Sequence, residues 1–436
     1  MRVLISGAGV AGPTLAWFLA KTGARITIFE KAHALLPHGQ NVDIEGSALT
    51  VMKKMGLLGE VRRFNTTEKG TQFIDSRGRP FAPFPVQKGS LGSFTSEFEI
   101  LRGDLSAILY NATTNHPNIN YRFNTTVKEI ISNDDTSVKI ESSDGEIQEY
   151  DLLVAADGQW SKVRRQCFPP ESVKVVDLGM TAIYWTIPRL PCDNDWWNVY
   201  LALRARVVTL RPDPHGTIRA MFTHMPCSEA QREEWLAAAR NGKSAQQALL
   251  KKEFADAGWQ AERLLDSMDQ APDFYFHVIQ QIKMAKWSTG RVVCLGDAAC
   301  APSPLTGMGT SLAVTAAYVL AGELSKLNQN DSPVEALEAY ERMFRPFVEK
   351  TQEIPSWVPD IAHPERAWKR SLLHVGVRAL SQLARIRWLV QRFEKDHGNE
   401  DFPLPHYASF DESGMDVSSE ISEEYGEKLF EEKSSA

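Results

Sequence analysis

The stretch "RVLISGAGVAGPTLAWFLAKTGARITIFE", residues 2–30, decides the fold. "RVLIS" reads as a buried strand, residues 13–22 as a helix and "RITIFE" (25–30) as the next strand. That is a β-α-β unit within about 30 residues. Between the first strand and the helix, Gly7, Gly9 and Gly12 fit G-x-G-x-x-G, with Val10 and Ala11 completing the loop. Each glycine answers a separate demand. The first allows the tight turn, the second lets a pyrophosphate approach the backbone, and the third lets helix and strand pack closely. Phosphate then sits at a helix N-terminus, where free N–H groups and the helix dipole favour negative charge. Glu30, followed by Lys31, ends the second strand at the distance from the loop where a carboxylate accepts hydrogen bonds from a ribose diol. The motif therefore points to a dinucleotide without saying which one.

Two later stretches repeat the pattern of a buried strand ending in a turn with an acid. "LLVAADGQWSKVR" (152–164) carries Asp157-Gly158. "VVCLGDAACAPSPLTGMGTSLA" (292–313) carries Gly296-Asp297, then a loop rich in Pro and Gly, then the Ala-rich helical run "SLAVTAAYVLAGEL". Elsewhere, residues 45–63 and 102–114 read as helices, and 119–131 and 136–142 as strands. Residues 70–99 read as strands and loops. From 173 to 286, "MTAIYWTIPRL", "NVYLALRARVVTLRPD" and "TIRAMFTHMP" read as long antiparallel strands in a region holding Trp185, Trp196, Trp197, Trp235 and Trp259. Residues 364–395 read as an amphipathic, arginine-rich helical stretch. Its apolar positions, interrupted by Arg378 and Arg385, favour packing between domains over a membrane surface. The acidic, Ser-rich tail after Asp411 has a composition that does not build a core.

The bulk numbers bound the class. A chain of 436 residues, 43% apolar and 24% charged, exceeds one ordinary core and suggests two domains. A net charge of -7 gives no footprint for nucleic acid. Five scattered cysteines with no C-x-x-C pair argue against a disulfide framework or a structural zinc, and fit a reducing, cytoplasmic setting. No uncharged run reaches the roughly 18 residues that span a bilayer.

In this order, "GAGVAG", "ADGQWSKVR" and "GDAACAPSPLTGMGTSLA" resemble the group A flavin monooxygenases, the para-hydroxybenzoate hydroxylase-like family, over about residues 1–345. "NVDIEGSALTVMKKMGLL" and "EILRGDL" resemble most the branch of tetracycline-inactivating and polyketide-tailoring enzymes. The resemblance implies an α/β fold: a Rossmann-like FAD-binding domain (1–70, 100–172 and 287–345) with an inserted, mainly antiparallel β-sheet substrate domain (71–99 and 173–286). A helical bridging segment (346–400), with a long C-terminal helix, and an acidic tail (401–436) would follow. It implies FAD, held at the pyrophosphate and adenosine ribose by the N-terminal loop. The ribityl chain and flavin ring would be held by Gly296, Asp297, Pro302, Pro304, Gly307, Met308 and Gly309. Arg102 would lie along the flavin and Asp43 near its ring. A helix-start salt bridge between Arg102 and Asp104 is the plainer alternative. Asp157 is grouped with this site as a structural acid or as support for substrate and nicotinamide.

Only one dinucleotide fingerprint is present, so NAD(P)H is expected as a transient co-substrate and dioxygen as the oxidant. The implied reaction hydroxylates an aromatic or polycyclic, polyketide-like small molecule through a flavin C4a-hydroperoxide. No catalytic side chain is assigned, because the flavin carries the chemistry. Trp185, His224 and Phe276 are the candidate substrate contacts, with His277 a further histidine of the same region. A sheet core explains the aromatics equally well. A flavin dehydrogenase or oxidase, a halogenase on the same fold and a Baeyer-Villiger outcome stay open, as does the choice between monomer and homodimer.

Overall fold

The computed structural model describes residues 1–35, 39–66, 68–86, 98–328, 331–355, 357–383 and 401–411. The expected β-α-β unit forms from strand Arg2–Ser6, helix Ala11–Ala20 and strand Arg25–Phe29. These strands belong to a six-stranded sheet whose order is Ser288–Thr289, Val292–Cys294, Leu152–Ala155, Arg2–Ser6, Arg25–Phe29, Ile119–Arg122. All its pairings are parallel except the first. The central strands are apolar on both faces, as a parallel sheet covered by helices requires. Helices Ala11–Ala20 and Gly309–Leu324 pack against each other over it.

A second, seven-stranded sheet runs Tyr275–Met284, Val173–Pro188, Thr217–His224, Arg206–Pro212, Trp197–Ala202, Gly70–Ile74, Pro80–Pro85. It is antiparallel throughout, save that Trp197–Ala202 and Gly70–Ile74 run parallel. Three helices not read from the sequence, Glu229–Asn241, Lys243–Phe254 and Ala261–Ser267, cover one face. Trp185, Phe222, Trp235 and Phe254 are fully buried between sheet and helices. Burial of side chains of this size contributes roughly 1.5–3 kcal/mol each. Trp235 thus belongs to a helix, not to a strand.

Three further differences have local causes. The run 45–63 is two helices, Ser47–Lys54 and Leu58–Arg63, because Gly56 takes φ +74° between them. Helix Val334–Thr351 crosses residue 345, where a boundary was expected. Of the stretch 364–395, residues Ala367–Leu383 form a helix after Pro364; Arg385 and the rest to 395 lie outside the described residues, as does the tail from 412.

Residues 401–411 pack on the half built around the six-stranded sheet. Phe402, Tyr407 and Phe410 are buried with Phe18, Tyr318 and Phe344. The Tyr407 ring lies so close to Gly322 that a Cβ there would stand 2.0 Å from it. Tyr407 donates to a Glu323 carboxylate oxygen (2.8 Å), and Tyr318 to the Pro405 carbonyl (2.9 Å).

Candidate functional site

The three motif glycines sit in different surroundings. Gly7 takes φ +115°, and a Cβ on it would stand 2.4 Å from the Ala156 carbonyl oxygen. A Cβ on Gly12 would stand 2.1 Å from the Gly7 carbonyl oxygen, so helix and turn touch. Gly9 differs: the nearest atom to its Cβ position is the Arg102 guanidinium, 3.9 Å away. This face of the loop is open. Val10 and Ala11 are buried behind it, and Lys31 is exposed. Glu30 accepts from the backbone N–H groups of Ala8 and Ala32, 3.0 Å each, which fixes its carboxylate beside the loop.

The second loop meets the first. Gly296, at φ +62°, is so placed that its Cβ would lie 3.3 Å from Ala11 Cβ and 3.5 Å from Ala313 Cβ, between the two helices that start here. Neither helix Ala11–Ala20 nor Gly309–Leu324 has a side-chain cap or an acid in its first turn. Both N-termini could therefore receive negative charge from a ligand. Asp297 opens the turn Asp297–Cys300. Burial raises its carboxyl, and the positive charge of Arg102 offsets part of that rise. A Cβ on Gly309 would stand 3.8 Å from Pro302 and 4.0 Å from an Asp297 carboxylate oxygen. Pro304 begins a short turn that ends at Gly307, φ +68°, just before Met308.

Two glutamines that the sequence reading missed clamp this loop. Gln281 donates to the carbonyls of Pro302 and Gln352, both 2.9 Å. Gln352 donates to the carbonyls of Ile282 (2.9 Å) and Ala301 (3.1 Å). Both are buried, and backbone carbonyls fixed this way need no other partner. No motif marks either residue in the sequence.

Asp43 lies on strand Asn41–Asp43, paired to Glu99–Leu101. Ser311, in the first turn of the long helix, donates to the Asp43 carbonyl (3.4 Å) and accepts from Glu45 N–H (3.0 Å). Arg102 begins the next helix, its N–H bonded to Gln40. Asp104 pairs with His215 at 2.9 Å, so the helix-start alternative fails and the Arg102 guanidinium faces the glycine loop. Asp157 accepts from Lys162 N–H (2.8 Å) and closes the turn into helix Lys162–Cys167; its other oxygen is buried with no partner among the described residues. Arg164 of that helix donates to the Ala298 carbonyl (2.7 Å), tying the second motif to the third.

The substrate-side candidates separate by strand parity. Cross-strand partners share a face, and Trp185, His224 and Phe276 fall on the helix-covered face, where Trp185 is 0% exposed and His224 stacks on Trp235. The correction is one of face: these three line the sheet's own core. Met180, Ala182, Tyr184 and Met221 point the other way and pack with Leu305 of the turn Pro304–Thr306. His277 is on this face and bonds Gln159 of the second motif at 3.2 Å. Burial lowers its pKa to about 4, with Arg102 contributing. On the same face, Arg211 binds Glu68 at 2.5 Å and also Glu99, beneath the Trp197 ring at 4.3 Å. Burial raises both carboxyls against the pull of Arg211.

A family model described as an FAD binding domain matches residues 1–354. A monooxygenase, CTB7, of Cercospora beticola is 34% identical over 95% of this chain and 99% of its own. The FAD-dependent monooxygenase asL6 of Sarocladium schorii is 33% identical over 93% and 98%. The chain belongs to the FAD-dependent monooxygenases. Tetracycline destructase Tet(55) has the same fold as this monooxygenase, with a TM-score of 0.73, 28% identity, and coverage of 93% of this chain and 98% of that one. FAD is the cofactor of this family, and NAD(P)H its usual reductant. The open face at Gly9 and the two uncapped helix starts fit FAD's length and charge. Among the described residues no helix is long and apolar enough to cross a membrane, and no cluster of side chains could hold a metal ion.

Proposed function

We propose that this FAD-dependent monooxygenase hydroxylates an electron-rich aromatic or polycyclic, polyketide-like molecule, using NADH or NADPH as a transient reductant. The observation that carries the reading is the apolar face of Met180, Ala182, Tyr184 and Met221 set against Leu305 and flanked by His277. Such a wall suits a planar ligand held beside a flavin. The tetracycline destructase likeness, an enzyme named for a polycyclic molecule, supports the same size class.

In this reading Gly7, Gly9, Val10, Ala11 and Gly12 receive the pyrophosphate and Glu30 the ribose, with Lys31 at the edge. Gly296 and Asp297 hold the ribityl chain. Pro304, Gly307, Met308 and Gly309 bound the ring, and Asp43 and Arg102 flank it. Bound FAD would supply the oxygen-transfer chemistry. The chain's part is to fix the loops, keep water out and aim the substrate. Asp157 is assigned to closing its turn. His277, which burial keeps neutral near pH 7, accepts or donates one hydrogen bond to a substrate oxygen. We further assign the six-stranded sheet to cofactor binding and the seven-stranded sheet to substrate. Five cysteines outside any disulfide support a reducing, cytoplasmic setting.

The test is anaerobic. Purified flavoprotein is mixed with NADH or NADPH, with and without a panel of polycyclic phenols. Faster bleaching with one phenol, then a mass gain of one oxygen on admitting air, is the expected result. A flavin that neither nicotinamide bleaches, or that gives only hydrogen peroxide with every phenol, would defeat it.

A further inference from the structure

Helix Ala367–Leu383 has two apolar faces, and the fold uses one. Leu373 packs against Val199, Leu201 and Val207, the His374 ring lies 4.6 Å from that of Phe81, and Ser381 donates to the Pro83 carbonyl at 2.7 Å. These residues recur at helical spacing and seat the helix on the seven-stranded sheet, on the face that carries Arg211 and Tyr184. Trp368, Leu372, Val375 and Leu383 recur at the same spacing on the opposite side. They are 61%, 66%, 66% and 50% exposed. Trp357 and Ile361 on the preceding helix, Trp357–Ala362, are 59% and 54% exposed. Scattered exposed apolar side chains need no explanation, but a contiguous stripe does.

Charge selects the occupant. No carboxylate lies within Ala367–Leu383, while Lys369 and Arg378 flank the stripe on its two sides. Of the acids outside it, Glu365 stands 3.8 Å from Lys369, Asp75 lies by His374 on the inner face, and Asp360 falls in the sequence of the preceding helix. The sequence from 384 to 395 adds Arg385, Arg387, Arg392 and Lys395 against the single Glu394. This basic excess sits in a chain whose net charge is -7. A second copy of this helix on the same face would bring no carboxylate to Lys369 and Arg378. An apolar stripe with tryptophan on it and cations along its borders matches an anionic bilayer surface instead.

We propose that the outer face of helix Ala367–Leu383 docks on membranes rich in anionic lipid, lying in the plane of the surface while the inner face holds the substrate sheet. The contacts that seat this helix are to the seven-stranded sheet, not to two domains as the sequence led us to expect. Because the helix roofs the sheet's site face, docking would bring that face beside the bilayer.

The test uses the full, FAD-loaded chain and vesicles of phosphatidylcholine with about one-third phosphatidylserine, against phosphatidylcholine alone. Flotation should recover the protein with the anionic vesicles only, and high salt should release it. L372D/V375D and K369E/R378E should each lower the bound fraction about tenfold or more, with unchanged flavin spectrum and Tm, since all four side chains are outside the candidate site. Failure of the wild type to float, or equal flotation of the L372D/V375D variant, would overturn the proposal. So would a concentration-dependent dimer that L372D abolishes. Binding that appears only after residues 412–436 are removed would assign the face to the chain's own acidic tail and overturn it too.

Discussion

Gly9→Ala separates cofactor binding from folding. Gly9 has no positive φ, and a methyl added there meets nothing closer than the Arg102 guanidinium at 3.9 Å, which is ordinary contact. The protein without flavin should therefore keep its stability to within about 0.5 kcal/mol. The methyl does enter the space into which the loop opens. Forcing one carbon into a filled, rigid contact costs about 1–3 kcal/mol, which is roughly a 5- to 150-fold rise in Kd for FAD. Gly12→Ala is the contrasting control. Its Cβ would stand 2.1 Å from the Gly7 carbonyl oxygen and 3.2 Å from Ile5, so the turn itself must move and the flavin-free protein should lose stability. The assay is fluorescence titration of the deflavinated protein with FAD, beside thermal melts of the same samples. Wild-type affinity in Gly9→Ala, with its Tm unchanged, would refute the placement of the pyrophosphate at this loop.

Three further outcomes are expected. Arg211→Met leaves Glu68 and Glu99 buried without their cation, and should cost about 3–5 kcal/mol in urea unfolding; Arg79→Met, which breaks the exposed pair with Asp75, should cost at most about 1 kcal/mol. Equal losses would sink that contrast. His224 is fully buried, with neither ring nitrogen bonded among the described residues, and burial lowers its pKa from 6.5 to about 3. Below about pH 6.5 the unfolded chain binds a proton that the folded chain refuses, so this residue subtracts stability as pH falls toward 3. His224→Phe keeps the stack on Trp235 and should flatten the fall in Tm between about pH 6.5 and 4; superimposable Tm–pH curves would contradict this. Gly322→Ala puts a carbon 2.0 Å from the Tyr407 ring and should expose residues 401–411 to limited proteolysis, whereas an unchanged digestion pattern would show that the segment has another seat.

The nucleotide-binding half was legible because its demands are local. Gly7, Gly12 and Gly296 each solve a steric problem within a few residues of a strand end, so sequence spacing carries the signal. The seven-stranded half was not, for two reasons. Strand Val173–Pro188 is apolar on both faces, so alternation could not tell that Tyr184 faces the loop and Trp185 the helices. Glu68 and Glu99 reach Arg211 from more than a hundred residues away, and no local pattern records such a pairing. The helix Glu229–Asn241 did announce itself: Ser228 caps Gln231 N–H at 3.3 Å, the "SEAQ" start of a capping signal, but the surrounding strands drew the reading to sheet.

The seat of Tyr407 against Gly322 bears on how the chain is made. The half that begins at Arg2 needs strand Val292–Cys294 at one side of its sheet and residues 401–411 across its helices. At about 5–20 residues per second, on the order of tens of seconds separate emergence of the first strand from that of its last partner. Four strands of that sheet have emerged by residue 155, but Leu152–Ala155 then waits for its partner Val292–Cys294 while the inserted sheet is completed by residue 284. Synthesis therefore completes the inserted sheet before the half that encloses it, and a nascent chain halted before Tyr407 would hold a finished seven-stranded sheet on an open nucleotide fold.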